Sequence, residues 1–190
     1  MMIKCVKRDE LKKIEEFRGF LSPGALIGAY MFNIAKKVLN VDDNEKIFAI
    51  CEGYNCIIDA VQVLGKSTVG NGRLKIKDTG KMAVTVNKAG DEGEVVEGVR
   101  IILDPQKAIH YPRIYEWYMN SKKFPSEEIN DEIMKARENI YTWKKVNIRV
   151  PKKPKKRVKI CRICGEAFLQ NKNEKVCISC MEGETVWRLY

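Results

Sequence analysis

Residues 73–103 read RLKIKDTGKMAVTVNKAGDEGEVVEGVRIIL, and the fold class turns on them. Three runs, 73–77, 81–87 and 95–103, read as strands, and Asn71-Gly72, Thr79-Gly80 and Ala89-Gly90 punctuate them. Runs rich in β-branched and apolar residues bounded by turn residues mark strands, and glycine at a turn tip supplies the positive φ that hairpins require. The stretch predicts strands joined by hairpins. Just upstream, residues 46–52 (KIFAICE) predict another strand and residues 56–64 a helix.

Helical signals lie on both sides. Residues 8–18 predict a short helix, and Ser22-Pro23-Gly24 opens a second one, with Ser22 as N-cap and Pro23 at the first position. Leu26, Tyr30, Ile34 and Val38 recur every fourth residue with Ile27 and Met31 beside them, the pattern of a core helix. The uncharged run Gly19 to Ala35 has 17 residues. Because the helix starts only at Pro23, roughly 13 of them, or ~20 Å, remain, too little to cross a membrane. After Ser126, acidic Glu127 and Glu128 in a first turn, then Ile129, Ile133, Ala136, Ile140 and Trp143 on one face, predict a long helix ending near Lys144 and Lys145. The architecture expected is α+β with an antiparallel or mixed sheet.

Charge and cysteine divide the chain unevenly. Of 190 residues, 35 are Lys or Arg and 25 Asp or Glu, a net +10. From Pro151 onward the count is 10 basic against 4 acidic, so a short tail carries most of the excess. Residues 151–160, PKKPKKRVKI, hold six positive charges and two prolines, which oppose both helix and sheet and predict a linker. Either a solvated spacer or a nucleic-acid contact fits such a run. Three parts follow: a core domain over 1–150, a basic linker over 151–160 and a small module over 161–190. No secretory signal is read at the N-terminus, where charged and apolar residues alternate.

The module contains Cys161-x-x-Cys164 and Cys177-x-x-Cys180. A two-residue gap lets both sulfurs of a pair curl around one ion, and two such pairs complete a tetrahedron with Zn–S bonds of about 2.3 Å. Gly165 suits the tight turn of a zinc knuckle. A segment too small to own a core is better stabilised by a metal than by two redox pairs. We therefore expect one structural Zn2+ per chain, held by Cys161, Cys164, Cys177 and Cys180. The tail aromatics Phe168, Trp187 and Tyr190 either stack on bases or cover the metal site.

In the core domain, Leu64-Gly65-Lys66-Ser67-Thr68 ends like a phosphate-binding loop but has Ala60 where the motif's first glycine belongs. Cys56 begins a helix that Asn55 would cap, which puts its sulfur at the positive end of the helix dipole, with Glu52 and Asp59 near in sequence. Packing in the core is the alternative reading for Cys51 and Cys56. His110, the sole histidine, stands in Ile109-His110-Tyr111-Pro112, which matches no nucleophile–histidine motif.

Taken in order, Ser22-Pro23-Gly24, Glu52 with Cys56 and Asp59-Ala60, Gly65 to Thr68 with Gly70-Asn71-Gly72-Arg73-Leu74, Gly80-Lys81-Met82-Ala83 and the paired cysteines resemble the FmdE family. That family is named for the E component of formylmethanofuran dehydrogenase. The resemblance spans residues 10–180. It implies a core domain that dimerises, a treble-clef-like zinc finger, an archaeal cytoplasmic setting, and an accessory role in methanogenesis-type carbon dioxide reduction beside other dehydrogenase subunits. Family members usually carry His-Gly-His-x-Cys-Pro-Gly ahead of the core helix, where this chain has Arg18-Gly19-Phe20-Leu21-Ser22-Pro23-Gly24, and Ser67 replaces a common cysteine. The implied core site is thus rewritten as Cys56, Asp59, Glu52, Arg18 and Ser22. Backbone donors at two helix starts plus the Arg18 guanidinium suit an anion better than a metal. A nucleic-acid-binding or regulatory zinc-finger protein acting through the basic linker is the alternative function, and a free-standing enzyme using Cys56 is a third.

Overall fold

The computed structural model describes residues 6–42, 45–152, 157–170 and 173–183. The chain falls into two compact units, divided between Val150 and Pro151.

The first unit is built around one helix. Helix α1 (Arg8–Arg18) ends at Gly19, whose φ of 93° only glycine adopts freely. Helix α2 (Pro23–Leu39) begins as its sequence demands, with the Ser22 hydroxyl accepting from Ala25 N at 3.3 Å and Pro23 in the first turn. It is buried almost all round, the expected fate of a helix that is apolar on every face. Strand β1 (Ile47–Cys51), helix α3 (Ile57–Gly65) and strand β2 (Leu74–Ile76) follow, then β3 (Ala83–Lys88), β4 (Val95–Leu103), α4 (Pro105–Ala108), α5 (Pro112–Tyr118) and α6 (Ser126–Ala136). A 3-10 turn (Arg137–Ile140) leads into β5 (Tyr141–Arg149).

The sheet is mixed, in the order β2-β1-β3-β4-β5. β1 and β2 are parallel, with Ala49 opposite Leu74, and α3 is the crossover that parallel neighbours need. β1, β3, β4 and β5 pair antiparallel. Val84, Val86, Val99, Ile101 and Leu103 face the core with α2, α3 and α6. Gly28 lets α2 approach α3 closely: a Cβ there would sit 2.9 Å from the Ile57 Cα.

Three expectations need correction. Of the turn signals, only the one at Ala89-Gly90 joins neighbouring antiparallel strands, because β1 inserts between β2 and β3. A local turn signal cannot reveal a strand that arrives from elsewhere in the chain. The helix after Ser126 stops at Ala136, where Arg137 takes a φ of 51°. Trp143, Lys144 and Lys145 belong to β5, paired with Ile101, Arg100 and Val99. Tyr-Thr-Trp-Lys-Lys-Val-Asn-Ile is rich in aromatic and β-branched residues, and pairing along the whole of β4 overrides the helical period. Finally, Arg157–Ile160, assigned to the linker, form strand β6 against β7 (Ala167–Gln170). The alternation Arg-Val-Lys-Ile lies beyond the last proline and is free to pair.

The second unit is this β6–β7 hairpin followed by helix α7 (Ile178–Glu182). Among its described residues only Cys161 is buried.

Candidate functional site

The hairpin and α7 exist to present sulfur. Cys161 and Cys164 lie in the loop between β6 and β7, where Gly165 at φ 74° turns the chain and its N–H donates to the Cys161 carbonyl at 3.0 Å. Cys177 stands at the N-cap position of α7 and Cys180 within its first turn. All four sulfurs lie within 4.8 Å of one another, and Cys164 and Cys177 are 3.9 Å apart. A tetrahedron with bonds of about 2.3 Å has edges of about 3.8 Å, so the cluster fits a metal ion with small adjustment. The four ligands would fill its coordination shell.

The electrostatics agree with that use. The Cys177 N–H donates to the Cys161 sulfur at 3.4 Å. Backbone N–H groups of Cys164 and Cys177 stabilise the Cys161 thiolate and bring its pKa down to about 6. Cys180 moves the other way, to about 12, chiefly because it shares a hydrogen bond with Cys177. Four adjacent thiols cannot all ionise alone; a divalent cation supplies the missing charge.

The core-site residues separate into two groups. Gly24 packs directly on Cys56: a Cβ on Gly24 would lie 3.0 Å from the Cys56 Cβ and 3.6 Å from its sulfur. The starts of α2 and α3 therefore converge; α3 begins one residue later than expected, with Cys56 itself at the N-cap position, and Asn55 Oδ1 accepts from Ile57 N at 3.1 Å. Ser22 is buried beside them as the cap of α2. Arg18 is engaged within the chain. Its guanidinium forms an ion pair with Asp59 on α3 and lies 4.9 Å from the Phe20 ring centre. The anion that Arg18 was expected to take from solution is thus supplied by the chain itself.

Glu52 belongs elsewhere. Arg100 on β4 binds its carboxylate in bidentate fashion, at 2.5 and 2.7 Å. Strand alternation turns Glu52 away from the face that carries Cys51, hence away from Cys56. The Arg100 hydrogen bond holds the Glu52 carboxyl below its ordinary pKa, against the opposing effect of burial. Sequence reasoning missed Arg100, because 48 residues separate it from Glu52 and no spacing rule spans that gap.

Other motifs resolve simply. Lys66 closes the C-terminal end of α3 at φ 48°, and its carbonyl accepts from Asn71 and Arg73. A phosphate loop needs a helix N-terminus, so this segment is a turn. Ser67 is buried with its hydroxyl donating to the Ile47 carbonyl at 3.0 Å. Cys51 is a core residue whose thiol burial pushes up to about 12. His110 lines a groove with Ile34 and Val38, about 15 Å along α2 from Gly24 at 1.5 Å per residue. That distance keeps it from activating Cys56. Phe168 is half-buried on β7; Trp187 and Tyr190 lie outside the described residues. No helix among the described residues is long and apolar enough to cross a membrane.

Known proteins carry the same outline. The FmdE family, described as "FmdE, Molybdenum formylmethanofuran dehydrogenase operon", matches over residues 17–149. The crystal structure of a tungsten formylmethanofuran dehydrogenase FmdE-like protein from Syntrophus aciditrophicus is 32% identical, with a TM-score of 0.80 over 96% of this chain and 98% of that one. A probable S-adenosyl-L-methionine-binding protein of Archaeoglobus fulgidus is 28% identical over 90% of this chain, which spans about half (52%) of that relative's length. The α2-centred core over the matched residues and the agreement with a solved FmdE-like structure across nearly the full length lead to one assignment: the chain belongs to the FmdE family.

Proposed function

We propose that the chain is a zinc-dependent accessory protein of the FmdE type, related to the E component of formylmethanofuran dehydrogenase, in which the small cysteine unit is structural and the core site has lost its metal-binding chemistry. The observation that carries this reading is the pairing of Arg18 with Asp59 beside Cys56 and Ser22. A carboxylate neutralised by a guanidinium, one thiol and a hydroxyl already used as a cap form a poor metal donor set. The four-cysteine cluster, in contrast, is a complete one, and zinc suits four thiolates best. When bound, zinc would cross-link the β6–β7 loop to α7 and supply no open position for substrate.

On this reading the protein acts in the cytoplasm as a homodimer or with other dehydrogenase subunits, and the redox chemistry belongs to those partners. Metal analysis of the purified full-length protein should give one zinc per chain and none after all four cysteines are replaced. Two metals per chain would contradict the closed core. Affinity purification from the native source should recover dehydrogenase subunits.

The nucleic-acid reading draws on one feature, the exposed Arg157 and Lys159 on β6, which follow the lysines of 151–156 in the sequence. If it is right, binding to a mixed-sequence RNA must weaken steeply between 50 and 200 mM salt, roughly in proportion to the phosphates neutralised.

A further inference from the structure

The only histidine of the chain opens onto a groove of about 680 Å³ that the cysteine cluster and the core site do not use. Its walls come from the second half of α2 (Ile34 and Val38), from Lys107 on α4, from the segment after it, and from β5. We propose that this groove is a binding site for a small organic anion, a carboxylate attached to a planar ring.

The size is that of small-molecule sites, which span ~300–1,000 Å³ with apolar walls and few polar groups. Val38, half-buried over the buried Ile34, supplies apolar surface, and the indole of Trp143, 42% exposed, adds a flat surface for a ring. Such exposure has a cost on a strand whose inward neighbour Tyr141 is buried, and a bound ring would remove it.

The polar groups are mostly donors. Lys107 is held in place because its Nζ donates to the Tyr141 carbonyl at 2.7 Å, which leaves two ammonium protons for a ligand. His110 offers a ring N–H in either charge state, and Asn139 an amide. Glu138 also lines the groove, but it already has a partner within the chain. A fixed cation with adjacent neutral donors selects a carboxylate over a neutral group. The buried Tyr141 hydroxyl is closed off from the groove and plays no part.

The test uses the full-length protein, isothermal titration calorimetry, and two probes that differ chiefly in charge, 2-naphthoate and 2-naphthalenemethanol. Naphthoate should bind about tenfold or more tightly than the alcohol, the difference expected for a charge-assisted contact. Lys107→Met should erase that preference. Because Lys107 also secures the Tyr141 carbonyl, His110→Ala and Trp143→Leu serve as independent variants. Each should weaken naphthoate about threefold or more without moving the thermal midpoint, since both side chains are exposed. Equal affinity for the two probes, no binding of naphthoate at millimolar concentration, or wild-type affinity in both His110→Ala and Trp143→Leu would each overturn the proposal.

Discussion

In the unit before Pro151, Leu26, Ile27, Met31, Ile101 and Ile133 are shut off from water, whereas in the unit after it Val158, Ile160, Ile163 and Ile178 are each at least 60% exposed. The first has enough apolar surface to hold α2 against a five-stranded sheet. Burial of one such side chain stabilises a fold by about 1.5–3 kcal/mol. The second has no comparable interior among its described residues, and its one buried side chain, Cys161, belongs to the sulfur cluster. The contrast shows two ways of specifying structure in one polypeptide: a non-directional one that needs many residues and a directional one that needs four.

The sharpest break between the units should come from removing the zinc that we propose the four cysteines hold. Structural zinc contributes about 10–16 kcal/mol in small modules of this kind, far above what a few exposed apolar side chains supply. Cys161→Ser, or a strong chelator, should therefore unfold residues 157–183 and leave the first unit folded. Amide spectra would show collapse of the β6–β7 signals alone, and a single global transition would refute independence of the units.

The reverse experiment is smaller in effect. Ile101→Ala, at a fully buried position facing α2, should cost about 2–5 kcal/mol in the first unit. Zinc stoichiometry should stay unchanged. Gly28→Val tests the same core from the helix side, since its Cβ would meet backbone as well as the Ala60 side chain at 2.9 Å. Overpacking of that kind costs about 1–3 kcal/mol, read from denaturant midpoints.

Next in size is the pH response of the Glu52–Arg100 pair. Glu52 titrates lower in the folded chain than in the unfolded one. Its contribution is therefore present above the unfolded glutamate pKa, and it is lost as pH falls through the folded value. Wild type should lose more stability between pH 7 and pH 3 than Glu52→Gln, in parallel urea titrations. Equal losses would mean that the pair carries no linkage.

The Arg18–Asp59 pair should matter least. Both side chains retain only 20–25% exposure, but Asp59→Asn keeps an acceptor oxygen for Arg18 while removing the counter-charge, so the loss should be about 1–2 kcal/mol and depend little on salt. Zinc content should not change at all. A gain of core metal binding in Arg18→His would show that the ion pair closes the site.

Much of this was readable in advance. The N-cap at Ser22, the core period of α2, the strands around Ile47–Cys51 and Val95–Leu103 and the paired cysteines all rest on spacings of a few residues. Resemblance to the FmdE family added the assignment that no spacing could supply. The region 126–149 misled because Ile140 and Trp143 continue the helical period past Ala136 while equally fitting a strand. Nothing local tells the chain that β4 waits as an edge to be paired. The two central ion pairs were out of reach for the same reason, since their members lie 41 and 48 residues apart.

By itself the sequence determined the elements whose physics is local: caps that satisfy the first N–H groups of a helix, apolar periods that select a face, and cysteine gaps that set a ligand bite. The tertiary structure alone decided which strand enters between which others, that Asp59 rather than a solution anion neutralises Arg18, and that Glu52 turns to Arg100 instead of Cys56. Those outcomes depend on the free energy of bringing distant segments together, and that quantity is a property of the packed whole rather than of any window along the chain.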